Sequence, residues 1–163
     1  MTRTRKAAAA AVTALSLALA LTACGGEDGS GKSGDKKAKA GAPQLSVSGA
    51  YLPQPAMSDM AAGFLTVRNT GGAADELTSV TTPLSDDVTL HATEGTAMRH
   101  VATMKVPAGG RLTLASGGSH LMLGKLSHKP KVGEKVRFTL HFATSGPVEV
   151  DVPVKPATYR PKA

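Results

Sequence analysis

From residue 44 onward, apolar and polar positions alternate in short runs instead of recurring every three to four residues. Residues 45–48 read Leu-Ser-Val-Ser, and 63–69 carry Phe64, Leu65 and Val67 ahead of Gly71-Gly72. Further runs cover 75–82, closed by Pro83, then 87–93, 97–106, 111–115, 120–126, 134–142 and 148–154. Gly, Pro, Asp or Asn punctuate them, and no sustained helical stripe appears. This is the punctuation of strands and turns. Eight or nine such strands in about 110 residues predict an all-β domain, an antiparallel Greek-key sandwich or small barrel.

Because side chains alternate faces along a strand, parity predicts inside and outside. In 134–142, Val136, Phe138, Leu140 and Phe142 share one face, and Lys135, Arg137, Thr139 and His141 share the other. In 148–154, Val148, Val150, Val152 and Val154 point one way, opposite Glu149 and Asp151. Such strands bury one face and solvate the other.

The first 43 residues follow different rules. Arg3, Arg5 and Lys6 precede an apolar stretch that ends in Leu21-Thr22-Ala23-Cys24, the layout of a secretory signal over 1–23. The small residues before Cys24 resemble a bacterial lipobox, so Cys24 is expected to carry lipid and anchor the chain outside the cytoplasm, on the cell membrane. Residues 24–43, rich in Gly, Ser and Lys and nearly free of large apolar side chains, read as a flexible linker. The folded domain is expected over 44–157, with a disordered tail at 158–163.

Composition narrows the chemistry. Aromatics make up only 3% of the 163 residues, too few for a base-stacking platform, so nucleic acid is not an expected partner. A single Cys excludes a disulfide framework, a four-Cys zinc site and a Cys-X-X-Cys redox pair. The net charge of +7 falls to +4 once residues 1–23 are removed, a modest balance. No Ser-His-Asp arrangement, phosphate-binding Gly loop or carboxylate pair with a pocket is apparent, so the chain is not expected to be an enzyme.

The informative cluster lies between residues 91 and 122. His120-Leu121-Met122 puts an imidazole and a thioether on one strand face, with Leu121 and Leu123 on the other. If the leucines face the core, His120 and Met122 face out, and the same parity turns His91, Met98 and His100 outward. A two-residue turn at Glu94-Gly95 would set His91 directly opposite Met98, with Cβ atoms about 4.5–5.5 Å apart. A lone exposed His is commonly a plain surface residue and a lone Met commonly core filler. Two outward Met, each beside an outward His, fit that description poorly.

Imidazole with thioether, lacking thiolate and carboxylate, favours Cu(I). Calcium or magnesium needs clustered oxygens and structural zinc needs more Cys or His. Blue-copper electron transfer needs a Cys, and the one available is committed to the anchor.

These residues resemble the PCu(A)C-type extracytoplasmic copper chaperones over roughly 47–154. The resemblance is carried by Ala50-Tyr51, the run from Ala61 through Asn69, Leu90-His91, Met98-Arg99, Val106-Pro107-Ala108-Gly109-Gly110 and the run from Gly117 through Leu123. The family motif places a His, a Met, 21 intervening residues and His-X-Met; Met98 and His120 are separated by 21 residues. Between His91 and Met98 lie six residues, where the family usually has ten. The resemblance implies a cupredoxin-like fold and one Cu(I) held by His91, Met98, His120 and Met122. It also implies a monomeric carrier that passes the ion to a recipient cuproprotein, such as a cytochrome c oxidase subunit, or to another copper chaperone.

The remaining His and Met carry smaller expectations. His100 is a backup ligand or a neighbour of the ligands, and Met104 shares its parity if the strand continues. Met57 and Met60 are expected to pack the end of the barrel, with a flap over the site as the other reading. His128 reads as a solvated turn. The tail 155–163 has neither His nor Met, so the second copper site that some family members carry there is not expected. The competing reading of the whole chain is a non-metal binding or adhesion lipoprotein on the same scaffold.

Overall fold

A computed structural model describes residues 41–161. The signal segment 1–23, Cys24 and the linker as far as residue 40 lie outside the described residues.

The described chain forms ten strands and no helix. In order they are β1 (Leu45–Pro53), β2 (Met60–Asn69), β3 (Asp75–Thr81), β4 (Ser85–Glu94), β5 (Ala97–Val101), β6 (Met104–Val106), β7 (Arg111–Leu114), β8 (His120–Leu126), β9 (Lys135–Phe142) and β10 (Val148–Lys155). Pairing runs β5-β4-β8-β2-β1-β10-β9-β3-β6, with β7 alongside β2. The all-β expectation holds, with three differences.

First, the run 97–106 is two strands, because Ala102 and Thr103 leave the ladder and carry the chain from β5 at one end of the path to β6 at the other. Second, the sheet is not closed: β5 and β6 are joined covalently but not paired. Third, the antiparallel pattern is broken where β1 meets β10 in parallel, at Leu52–Val154 and Pro53–Lys155. That parallel seam joins the β5-β4-β8-β2-β1 layer to the β10-β9-β3-β6 layer.

Parity decides the core. Val136, Phe138, Leu140 and Phe142 are buried, as are Val152 and Val154, and they pack with Leu52, Leu65, Leu121 and Leu123. A Cβ built on Gly63 would lie 3.0 Å from the Phe138 ring. The missing side chain is what lets β2 approach β9 so closely.

Polar groups inside the fold are tied down. Asn69, fully buried, accepts from the N–H of Gly71 (2.9 Å) and of Gln44 (3.1 Å) and donates to the Ala73 carbonyl (2.8 Å). Asp75 accepts from the N–H groups of Glu76, Thr144 and Ser145 at 2.8–2.9 Å. Past β10 the chain turns at residues 157 and 158. Tyr159 packs edge-on against Tyr51, with ring centroids 5.1 Å apart.

Candidate metal centre

The hairpin of β4 and β5 turns at Gly95-Thr96, since Glu94 pairs with Ala97. Gly95 has φ +61°, and Thr96 is not in the positive region. Those signs are what a type II′ turn asks of its two central residues. The turn therefore lies one residue later than Glu94-Gly95, and every cross-strand pair shifts by two. His91 faces His100, and Met98 faces Thr93, so the expected direct pairing of His91 with Met98 is corrected. A shift of two leaves the faces unchanged. Met98 stays on the His91 side, one diagonal step away, with Cβ atoms about 7 Å apart.

On its other edge β4 pairs with β8, and there His91 faces His120. The three imidazoles His100, His91 and His120 thus form a row across three adjacent strands. Ring centroids of His91 and His120 are 5.3 Å apart and nearly stacked, and those of His91 and His100 are 6.1 Å apart. One row further along, Thr89 pairs with Met122, and Met122 with Ala62 of β2. Met60, two residues before Ala62, shares that face. Leu90 and Leu121, on the opposite side of the same strands, are buried in the core. The face is set by alternation, and the lateral alignment by ladder register.

Two hydrogen bonds prepare the rings. His120 Nδ1 is 3.0 Å from the Gly118 carbonyl oxygen. A carbonyl only accepts, so Nδ1 holds the proton and Nε2 of the neutral ring keeps its lone pair. His91 Nε2 lies 3.1 Å from Thr89 Oγ1, which leaves its Nδ1 unengaged in that bond. Burial lowers the His91 pKa below the ordinary imidazole value, and the neighbouring His120 and His100 push it the same way. His91 is therefore a neutral donor at neutral pH. Thr93 Oγ1, on the same face, is buried without a hydrogen-bond partner.

Exposure grades steeply across the site. His120 is 8% exposed, which corrects the expectation that it points into solvent: it faces away from the core but is covered, with the His91 ring stacked on it. Met98 at the hairpin is 66% exposed. Met57 and Met60, expected to pack the barrel end, are instead 58% and 41% exposed. With Met122, Pro53 and Ala62 they line an apolar hollow of about 390 Å³ beside the imidazole row. Met104 is buried on β6 and leaves the candidate set, because the strand breaks before it. His128 is an exposed turn residue bonded to Glu134 Oε1 at 2.8 Å. Among the described residues, no three His, Cys, Asp or Glu side chains converge closely enough to hold an ion as they stand.

A family model described as "Putative lipoprotein LpqE-like" matches residues 45–154, which span β1 to all but the last residue of β10. The chain belongs to the LpqE-like lipoprotein family. "Putative lipoprotein Lxx21020" of Leifsonia xyli subsp. xyli is 34% identical over 116 residues, covering 68% of this chain and 69% of its own. Among solved structures, the copper-bound PCuAC domain from PmoF2 superposes with a TM-score of 0.62 at 26% identity, covering 69% of this chain and 92% of that domain. The solution structure of CuI-DR1885 from Deinococcus radiodurans superposes with a TM-score of 0.57 at 27% identity, covering 78% of this chain and 85% of that one. The described domain of this LpqE-like chain is of PCuAC type, with the cupredoxin-like fold expected from its motifs.

Proposed function

We propose that this LpqE-like protein is an extracytoplasmic copper carrier, anchored to the membrane through lipid on Cys24, that binds one Cu(I) on the β5-β4-β8 face. The observation that carries this reading is the convergence of imidazole and thioether donors on one side of a single ladder. His91 and His120 are directly paired, Met122 is one row away on the His120 strand, and Met98 lies diagonally on the hairpin. The likeness to a copper-bound PCuAC domain supports it.

Thioethers and neutral imidazoles form a soft, uncharged donor set that suits Cu(I) and does not trap it by charge. His120 is the fixed end, with its tautomer chosen by Gly118. Met98 is the mobile end, exposed on a hairpin tip where an incoming ligand can replace it. Stepwise replacement makes the protein a carrier and not an enzyme. The recipient is a cuproprotein, for which the copper centre of a cytochrome c oxidase subunit is the proposed example.

The test is a Cu(I) competition titration of the full chain in detergent against a chromogenic chelator. One equivalent is expected to bind, and Met98→Leu with Met122→Leu should weaken binding by about 100-fold or more with the fold retained. Unchanged affinity in that double variant would overturn the ligand assignment. Mass spectrometry finding Cys24 unmodified in the membrane fraction would overturn the anchor.

A further inference from the structure

We propose that His100 is a copper ligand, and that β5 offers the site two alternative donors, Met98 for Cu(I) and His100 for Cu(II). The inference rests on the copper reading of this face and goes beyond it in assigning a second oxidation state and a donor outside the four-residue motif.

The geometry favours His100 over Met98 as the nearer partner of His91. His100 is directly paired with His91, whereas Met98 is paired with Thr93 and reaches His91 only on the diagonal. Two imidazoles that each bind one ion through a nitrogen at about 2.0–2.1 Å have ring centroids about 5–6 Å apart. The observed separation of 5.3 Å for His91–His120 is in that range, and the 6.1 Å for His91–His100 lies just beyond its upper end. To close on an ion the rings must turn: His91 leaves Thr89 if it binds through Nε2, and His100, exposed at the edge, swings inward.

Donor chemistry then separates the two states. Three neutral nitrogens with no thiolate suit Cu(II), which thioether serves poorly, and replacing one imidazole by Met98 returns the set to the softer composition that suits Cu(I). Met98 and His100 are two residues apart on the same strand face, so a small rocking of one hairpin presents either one. No electron transfer is implied by the protein itself, because each oxidation state is bound as supplied.

Both ions should be titrated into the full chain in detergent, with electron paramagnetic resonance counting the nitrogens on Cu(II). The unmodified chain should bind each ion at one site, with three imidazole nitrogens on Cu(II). His100→Ala is expected to weaken Cu(II) by about ten-fold or more and remove one nitrogen from the spectrum, while Cu(I) affinity changes less. Met98→Leu should do the reverse, and His100→Met should favour Cu(I) further. His128→Ala, distant and bonded to Glu134, is the control for surface binding and should change neither affinity. If Cu(I) binds but the Cu(II) affinity and spectrum are the same in His100→Ala, this inference is wrong and the carrier reading survives. If the unmodified chain fails to bind Cu(I), the carrier reading itself fails, whatever Cu(II) does.

Discussion

Two groups of polar side chains in this protein behave oppositely in the fold. Asn69 and Asp75 sit near the β2–β3 connection, and each has several close hydrogen bonds to the backbone. The imidazole row on β5-β4-β8 contains a ring nitrogen with a free lone pair, a buried hydroxyl without a partner on Thr93, and an exposed thioether at the hairpin. Buried polar groups that are fully partnered hold loops in place. Groups left with capacity are available to a ligand. The first region spends its hydrogen bonding on structure, and the second leaves part of it unspent.

That contrast can be broken by substitution. Asn69→Ala strands the N–H groups of Gly71 and Gln44 and the carbonyl of Ala73, and should cost about 2–4 kcal/mol of stability in a urea titration. Asp75→Asn should cost about 2 kcal/mol at neutral pH, since an amide cannot accept all three donors. Burial alone would raise the Asp75 pKa, but donors on Ser145, Glu76 and Thr144 outweigh it and hold the value below normal. A depressed folded-state pKa means the stabilisation is present above the ordinary carboxylate value of about 4 and is lost as pH falls through the lower, folded-state value. The gap in melting temperature between the unmodified chain and Asp75→Asn should therefore narrow on acidification below about pH 4. A gap that stays constant into strong acid would show that the carboxylate charge is not what matters there.

Substitutions at the other region should spare the fold. His120→Ala removes one hydrogen bond to Gly118 and should cost only about 1 kcal/mol in the copper-free protein, while Cu(I) affinity drops about 100-fold. Met60→Leu conserves volume on an exposed position and should shift stability by less than about 0.5 kcal/mol. Should His120→Ala prove as damaging to the apo fold as Asn69→Ala, the division between structural and cargo-holding polar groups would not stand.

Much of this was readable from alternation alone. Parity placed Phe138, Leu140, Val152 and Val154 inside, and put His91, Met98, His100, His120 and Met122 on one outer face. Register was not readable in the same way. Glu94-Gly95 and Gly95-Thr96 are both two-residue turns, and both leave every side chain on the same face, so the hydrophobic pattern cannot choose between them. The choice depends on which central position takes the positive φ, a backbone fact that a single Gly leaves open. The break after Val101 was hidden for a related reason: Met104 and Val106 continue an alternating pattern while pairing with the far end of the sheet. Met57 escapes this reading because an irregular segment carries no parity, and Met60 because it opens β2 instead of belonging to that segment.

The Gly95-Thr96 tip sets one more property of the molecule. Inserting or deleting a pair of residues there would lengthen or shorten both arms by one and leave His91 across from His100, whereas moving the turn by one residue would slide β5 by two positions along β4, with every side chain kept on its face. The place of one glycine, and not the length of the tip, thus fixes which rungs the hairpin closes on.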